Sequence, residues 1–391
     1  MTAFVTDSDE HRLIRESTAK IAARYGHAYY AERARNNGGV AELWADLGEA
    51  GLLGVHLPEE YGGGGAGLAE LVVVLEELSA HGMPLLSAVI SPAICGSILA
   101  AHASPEMKSA WLPDLAAGRR KMAFALTEPD AGSNSHAITT TARSESGGAR
   151  IISGAKYYIS ALDEADAVLV VTRDGDLAPS PSGSGPLSLF VVPIDAPGLH
   201  FQPIETELVC PDKQFTLFLD NVRVADDALI GEPGKGLRQV FAGLNPERVT
   251  ASALSNGIGR YAVAKARDYA AERKVWSTPI GAHQGIAHPL AEAHIGVELA
   301  RLATARSAEL FDAGENAATA ANIAKFTAAD ASLKALDQAI QTHGGNGLSR
   351  EYGLADLWFV ARMLRTAPVS REMVLNFVAQ HSLGLPNSYG N

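Results

Sequence analysis

The sequence predicts an α+β chain in which a block of helices, a block of strands and a second block of helices follow one another. Three observations predict it. Up to about residue 120, apolar residues recur at spacings of three and four. From Lys121 to about Val224 the segments become short, β-branched and broken by turns. After Leu229–Gly236 (LIGEPGKG) the chain is Ala-rich and helical to near residue 380. Strands set apart from helices exclude a doubly wound sheet, in which the two alternate. The breaks place expected domains at 1–120, 121–232 and 233–391.

Within the first block, TDSDEHRLIRESTAKIAARY carries a possible capping pair in Asp7 and Glu10, followed by Ile14, Thr18, Ile21 and Tyr25 at helical spacing. VAELWADLGEAGLLG and LAELVVVLEELSAHG are further helices, the second too apolar to face water all round. In the second block AITTTARS, ARIISGAKYYIS, DAVLVVTR, LSLFVVPI and FTLFLDNVRV are expected strands. Gly147-Gly148 suits a hairpin turn, and DGDLAPSPSGSGP suits a surface loop. The third block, with stretches such as TAANIAKFTAADASLKALDQAI, has small and apolar residues for close helix packing.

Composition excludes several function classes. A net charge of −12 and one short basic cluster, Gly118–Lys121, do not make a nucleic-acid-binding face. No run reaches the ~18 apolar residues of a membrane span, so no membrane insertion is expected. The N-terminus lacks the basic and apolar regions of a signal peptide. Two cysteines, Cys95 and Cys210, are too few for a disulfide framework and lack zinc spacing, and a cytoplasmic location is expected. His283, His288 and His294 do not stack on one helical face, so no metal is expected. Gly62, Gly64 and Gly67 spell GxGxxG, but no βαβ unit follows, and the reading is a helix–helix connection.

One stretch carries more. KMAFALTEPDAGSN (Lys121–Asn134) is a short apolar strand that runs into a polar turn. Such a turn offers backbone N–H groups and hydroxyls to an anion such as a pyrophosphate, or is simply a turn.

ALTEPDAGSN resembles the TEPxAGSD signature of the acyl-CoA dehydrogenases, and GAKYYIS (Gly154–Ser160) resembles their GxKxWIT segment. DNVRV, LIGEPGKG, YAAERKVW, HQGI and QTHGGNGLSREY follow in the family's order, so the resemblance covers essentially the whole chain. It implies a helical domain, a central β-barrel-like or sandwich domain and a C-terminal four-helix bundle. It also implies FAD, an acyl-CoA substrate, a homotetramer, and electron delivery to an electron-transfer flavoprotein. By resemblance, Phe124, Leu126 and Thr127 lie along the flavin and Ser133 caps the pyrophosphate or meets substrate. Tyr158 replaces a Trp packed on the ring, and Ser160 replaces a Thr near flavin N5. A neighbouring subunit would supply Arg273, Trp276, Gln284, Gln341, Gly344 and Gly345, with Ser370 and Glu372 completing the cofactor set. The alternative reading of Arg273 is a solvated helix residue.

Dehydrogenation needs a carboxylate beside the substrate α-carbon. Many relatives carry it after GGNG, in a segment like YEGTS. Here that position falls on Pro368, or on Ala367 after a one-residue slip, and no acidic residue lies between Asp356 and Glu372. Proline also removes a backbone N–H that would polarise the thioester carbonyl. In the isovaleryl-CoA and long-chain members the base precedes an Arg on a helix. Glu247 in LNPERVTASA falls there, with Arg248 and Asn245 as substrate-side residues. Asn245-Pro246 reads as a helix start, so Glu247 either is the base or complements a helix N-terminus. The expected function is FAD-dependent α,β-dehydrogenation of an acyl-CoA. The alternatives are an oxidase, a monooxygenase or a non-catalytic partner subunit.

Overall fold

The computed structural model describes residues 7–145, 147–178 and 186–387, so most of the expected loop 174–186 lies outside the described residues. The first block holds α1 (Asp9–Arg35), α2 (Ala41–Glu49), α3 (Leu68–Ala80), α4 (Leu86–Ala88), a π-helical stretch Val89–Gly96, α5 (Ser97–His102) and α6 (Pro105–Ala116). The cap of α1 differs from expectation by one residue. Ser8 accepts from His11 N at 3.1 Å, while Asp7 takes the Arg15 guanidinium at 2.7 Å. A serine hydroxyl reaches the first free N–H groups at the Ncap, and that frees Asp7 to pair across the fold.

The strands are β1 (Met122–Ala125), β2 (Thr141–Glu145), β3 (Ala149–Ser160), β4 (Ala167–Asp174), β5 (Leu187–Pro193), β6 (Leu199–Ile204), β7 (Gln214–Ala225) and β8 (Leu229–Ile230). They pair in the order β6-β7-β3-β2-β4-β5-β8, with β1 parallel to β4. β4 is buried on both faces, which is why it reads as a continuous apolar run. Leu169 and Val171 face the helices, while Val168 and Val170 face a second core within the strand block. β6 was not among the expected strands. Pro203 breaks its pattern, and the structure tolerates that proline because β6 is an edge strand.

The third block holds α7 (Gly236–Glu272), a small hairpin of β9 (Lys274–Val275) and β10 (Thr278–Pro279), α8 (Gln284–Asp312), α9 (Ala318–His343), α10 (Trp358–Met363) and α11 (Arg371–His381). α7, α8 and α9 pack on one another, and α11 packs on α9. An ionic cluster locks this block to the first. Glu76 and Glu77 of α3 receive Arg15 of α1, and both also receive Arg260 of α7; Glu76 further receives Arg301 of α8. The resulting molecule is mixed α+β, with an N-terminal helical part, a central sheet and a C-terminal helical part.

The helix start expected at Asn245-Pro246 is not there. α7 begins at Gly236, so Asn245 and Pro246 lie in its interior. Pro246 lacks the N–H that would bond one turn back, and the packing of Gly243 against Ile94 and Ile98 holds the helix through that gap. Glu247 therefore does not complement a helix N-terminus.

Candidate active site

The site is built around the end of β1. Phe124, Leu126 and Thr127 are half-buried, and the chain then turns out to an exposed Ser133. The turn is pinned to β3. Tyr157 N donates to Thr127 O at 2.9 Å, and Lys156 Nζ donates to Leu126 O at 2.9 Å. Glu128 closes the arrangement. Its carboxylate accepts from Lys156 Nζ at 2.9 Å, from Thr140 N at 2.9 Å, and from Thr139 N and Oγ1 at 2.5 and 2.7 Å. Burial pushes the Glu128 carboxyl up, but the Lys156 charge and the threonine donors outweigh it and hold it down at about 2. Burial pushes the Lys156 ammonium down to about 8 against the pull of Glu128. Both side chains were inside quoted motifs, yet neither was assigned a role. The available signal was that both are charged residues inside the two motif segments.

Register breaks after Lys156 where β3 pairs with β7. The bulge puts Tyr158 at φ 56°, with 54% of its surface exposed and its ring edge-on to Tyr157 at 4.4 Å. A bulge beside a site re-aims a side chain in this way. Ser160 is half-buried and donates to Gln214 Oε1 at 3.0 Å, which leaves its oxygen free to accept.

Glu247 reaches the same region. Burial pushes its carboxyl up to about 7, and the Arg248 charge opposes that rise. α7 packs on the π-helical stretch Val89–Gly96, which itself packs on β1, and Gly243, one turn before Glu247, meets Ile94 and Ile98. Cys95 Sγ in turn lies 3.5 Å from Ala123 O and 3.9 Å from Met122 O on β1. The buried cysteine thus ties this stretch to the strand that carries Phe124. Arg248 donates to Leu244 O at 3.0 Å and Asn245 Oδ1 at 3.3 Å, and its buried Nε has no partner among the described residues. Burial lowers its basicity and Glu247 resists that.

The segment expected to hold the commoner base lies close by. Lys325 of α9 is buried and donates to the carbonyls of Arg365 and Val369, the two sides of the loop containing Pro368. Burial lowers this ammonium to about 8, with Asp330 and Glu372 opposing and Arg248 assisting. Lys325 thus ties α9, which packs on α7, to the Pro368 loop. Ser370 caps α11, accepting from Met373 N at 3.2 Å.

The remaining expected residues gather elsewhere. Arg273 ends α7, Gln284 opens α8, and Gln341, Gly344 and Gly345 lie at the end of α9. Tyr269 stacks on His343 at 4.2 Å and binds Asn346 at 3.1 Å, which draws these ends together. Gly344 sits at φ 60° with open space where a Cβ would be, so the chain can turn sharply there and leave a cradle. Trp276 at the tip of the β9–β10 hairpin is 93% exposed. Glu247 and Arg273 are 26 residues apart on one helix, roughly 39 Å at 1.5 Å per residue.

Comparison with known proteins agrees with this geometry. Family models described as acyl-CoA dehydrogenase N-terminal, middle and C-terminal domains match residues 8–119, 123–222 and 234–383. Acyl-CoA dehydrogenase FadE12 of Mycobacterium tuberculosis H37Rv is 55% identical over 390 residues, 99% of each chain. A glutaryl-coenzyme A dehydrogenase in complex with glutaryl-CoA superposes with a TM-score of 0.92 at 27% identity, covering 99% of each chain. A glutaryl-CoA dehydrogenase from Mycobacterium smegmatis in complex with FADH2 has the same fold, with a TM-score of 0.90 at 23% identity, covering 98% of this chain and 97% of that one. The chain belongs to the acyl-CoA dehydrogenase family and is an FAD-dependent oxidoreductase. The residues present fit FAD: an exposed aromatic on a bulge, a pinned strand end, and a glycine cradle near an arginine. No helix of the described residues is long and apolar enough to cross a membrane.

Proposed function

We propose that the chain catalyses α,β-dehydrogenation of an acyl-CoA thioester with Glu247 as the base. The observation that carries this is the place of Glu247 on α7, which packs on the Val89–Gly96 stretch lying against β1, with burial pushing its carboxyl up to about 7. A base poised near neutrality loses little by partial protonation and gains proton affinity from burial. In the reaction the α-C–H and β-C–H bonds break and a C=C bond forms. Glu247 takes the α-proton. FAD, when bound, supplies the two-electron acceptor chemistry for the hydride leaving the β-carbon. Phe124–Thr127, Tyr158 and Ser160 orient the flavin end, and Ser133, Asn245 and Arg248 serve the substrate and pyrophosphate side.

The span along α7 supports a shared site. One FAD lying by Glu247 does not extend to the Arg273 end of the same helix, so Arg273, Trp276, Gln284, Gln341, Gly344 and Gly345 serve a second copy, and Ser370 and Glu372 complete the set. A tryptophan exposed to 93% at that end is consistent with such a partner. The assembly is a homotetramer of paired dimers, divided at 1–120, 121–232 and 233–391, which passes electrons to an electron-transfer flavoprotein. A branched or longer acyl chain is the favoured substrate, by analogy with relatives that place the base on this helix.

Anaerobic titration of the yellow holoenzyme with an acyl-CoA panel tests the reading. Bleaching of the flavin by one or more members is expected. A holoenzyme that no acyl-CoA bleaches would overturn it and bring forward an oxidase, a monooxygenase or a non-catalytic partner.

A further inference from the structure

The peptide joining Leu126 to Thr127 has its two ends in different surroundings. Its carbonyl receives the Lys156 ammonium at 2.9 Å. The unit is planar and trans, so its N–H, on Thr127, points the opposite way. Among the described residues that N–H meets no acceptor, although the next carbonyl, Thr127 O, is held by Tyr157 N. Thr127 is half-buried, so this N–H stands open to a ligand or to water.

Lys156 is an expensive residue to place here. Its side chain is fully buried, with 0% exposure, and Glu128 beside it is at 4%. Burying both charges costs several kcal/mol per ion unless geometry and hydrogen bonds offset it. Packing alone would be served as well by an apolar pair of similar volume. The ammonium makes only two contacts among the described residues, Glu128 Oε1 and Leu126 O. Glu128 spends its other acceptor capacity on Thr139 and Thr140, which fixes the carboxylate and, through it, the ammonium. All of this converges on one carbonyl.

We propose that Lys156 is a positioning residue for FAD: held in place by Glu128, its ammonium fixes and polarises the Leu126–Thr127 peptide so that the Thr127 N–H becomes a strong, fixed donor to the pyrimidine edge of the flavin. A cation on the carbonyl draws electron density toward the oxygen and makes the N–H of the same unit a better donor, as in any polarised hydrogen-bond chain. The charge-assisted bond also removes the freedom of the peptide to rotate. A donor aimed at the pyrimidine edge favours the electron-rich, reduced flavin over the oxidised one, so Lys156 raises the reduction potential as well as the affinity. This rests on FAD lying along Phe124–Thr127.

The test uses two variants of the holoenzyme. The pair Lys156→Met with Glu128→Gln removes both buried charges together, so neither is left uncompensated. Glu128→Gln alone leaves the ammonium on Leu126 O without the carboxylate that holds it. Three quantities are measured: the melting temperature of the FAD-stripped protein, the rate of FAD loss on dilution, and the midpoint potential of bound FAD. For the pair, FAD loss is expected to be about tenfold faster, and the reduced-to-oxidised ratio at fixed potential to fall about tenfold. For a two-electron couple that is about 30 mV more negative. Glu128→Gln alone, which loosens the ammonium, is expected to lower the melting temperature and to move the potential the same way by no more than the pair does. If the pair keeps the wild-type potential and FAD retention, the proposal is overturned and the site reading stands. If Glu128→Gln alone makes the potential more positive, the ammonium does not act through the place that Glu128 gives it, and the proposal is again overturned. A wild-type protein that takes up no FAD would overturn the site reading itself.

Discussion

Replacing Glu247 by Gln keeps the side-chain shape and removes the proton acceptor, and the structure sets two magnitudes for the result. The first is stability. Burial holds the Glu247 carboxyl at about 7 against an ordinary 4.5. Between those values the folded chain keeps a proton that the unfolded chain releases, so stability falls as pH rises from about 4.5 to about 7. Above that window the full penalty is present, on the order of 3 kcal/mol at 1.36 kcal/mol per pKa unit. Gln carries no charge and escapes it. FAD-loaded Glu247→Gln should therefore melt near the wild-type temperature at about pH 4.5 and clearly above it at pH 8. The second magnitude is rate. Loss of a general base costs roughly 10²- to 10⁴-fold, or about 3–5.5 kcal/mol of barrier. Anaerobic stopped-flow mixing with a reactive acyl-CoA, followed at the flavin absorbance, measures it. The wild-type kcat/KM should climb with pH around a midpoint of about 7, since the carboxylate is the active form, and the variant should lose that limb. A variant that stays yellow and bleaches as fast as wild type would refute the assignment. A melting difference that stays constant with pH would refute the buried charge.

Four further outcomes are expected. Pro368→Glu in the Glu247→Gln background should restore part of the lost bleaching rate, because α9, which packs on the Glu247 helix, also holds the Pro368 loop through Lys325; no recovery in a folded double variant would place that loop away from the substrate. Arg248→Met removes the charge that holds Glu247 down, so the kcat/KM midpoint should move to higher pH; an unmoved midpoint would show that the two charges do not interact. Arg273→Ala should lose FAD faster on dilution, as a guanidinium suited to pyrophosphate is removed, and unchanged retention would count Arg273 as a solvated helix end. Light scattering should find a dimer or tetramer, and a stable monomer with full FAD occupancy would contradict the shared site.

Much of the molecule was legible in order along the chain. The blocks of helix and strand follow from period and composition, which are local properties, and β4 announced its double burial by an unbroken apolar run. β6 did not, because a proline weakens a strand pattern wherever it stands, and only sheet position shows that an edge tolerates it. The motif segments pointed to the strand end at Phe124–Thr127 and to Glu247, since each is a run of adjacent residues.

The sequence by itself determined which chemical groups this protein owns: the carboxylate of Glu247, the aromatic at Tyr158, the proline where a base is commoner. Tertiary structure decided what those groups experience. Asn245-Pro246 looked like a helix start because capping chemistry is local, yet packing of Gly243 on Ile94 and Ile98 carries α7 straight through it. The proton affinity of Glu247 depends on burial on a helix that packs against Val89–Gly96, some 150 residues distant in the chain. Lys156 reads as one lysine in a strand until β3 meets the turn after β1, and then its ammonium has one carbonyl and one carboxylate to choose from. Desolvation and charge pairing act through space over a few ångströms, and sequence separation carries no record of which residues will share that space.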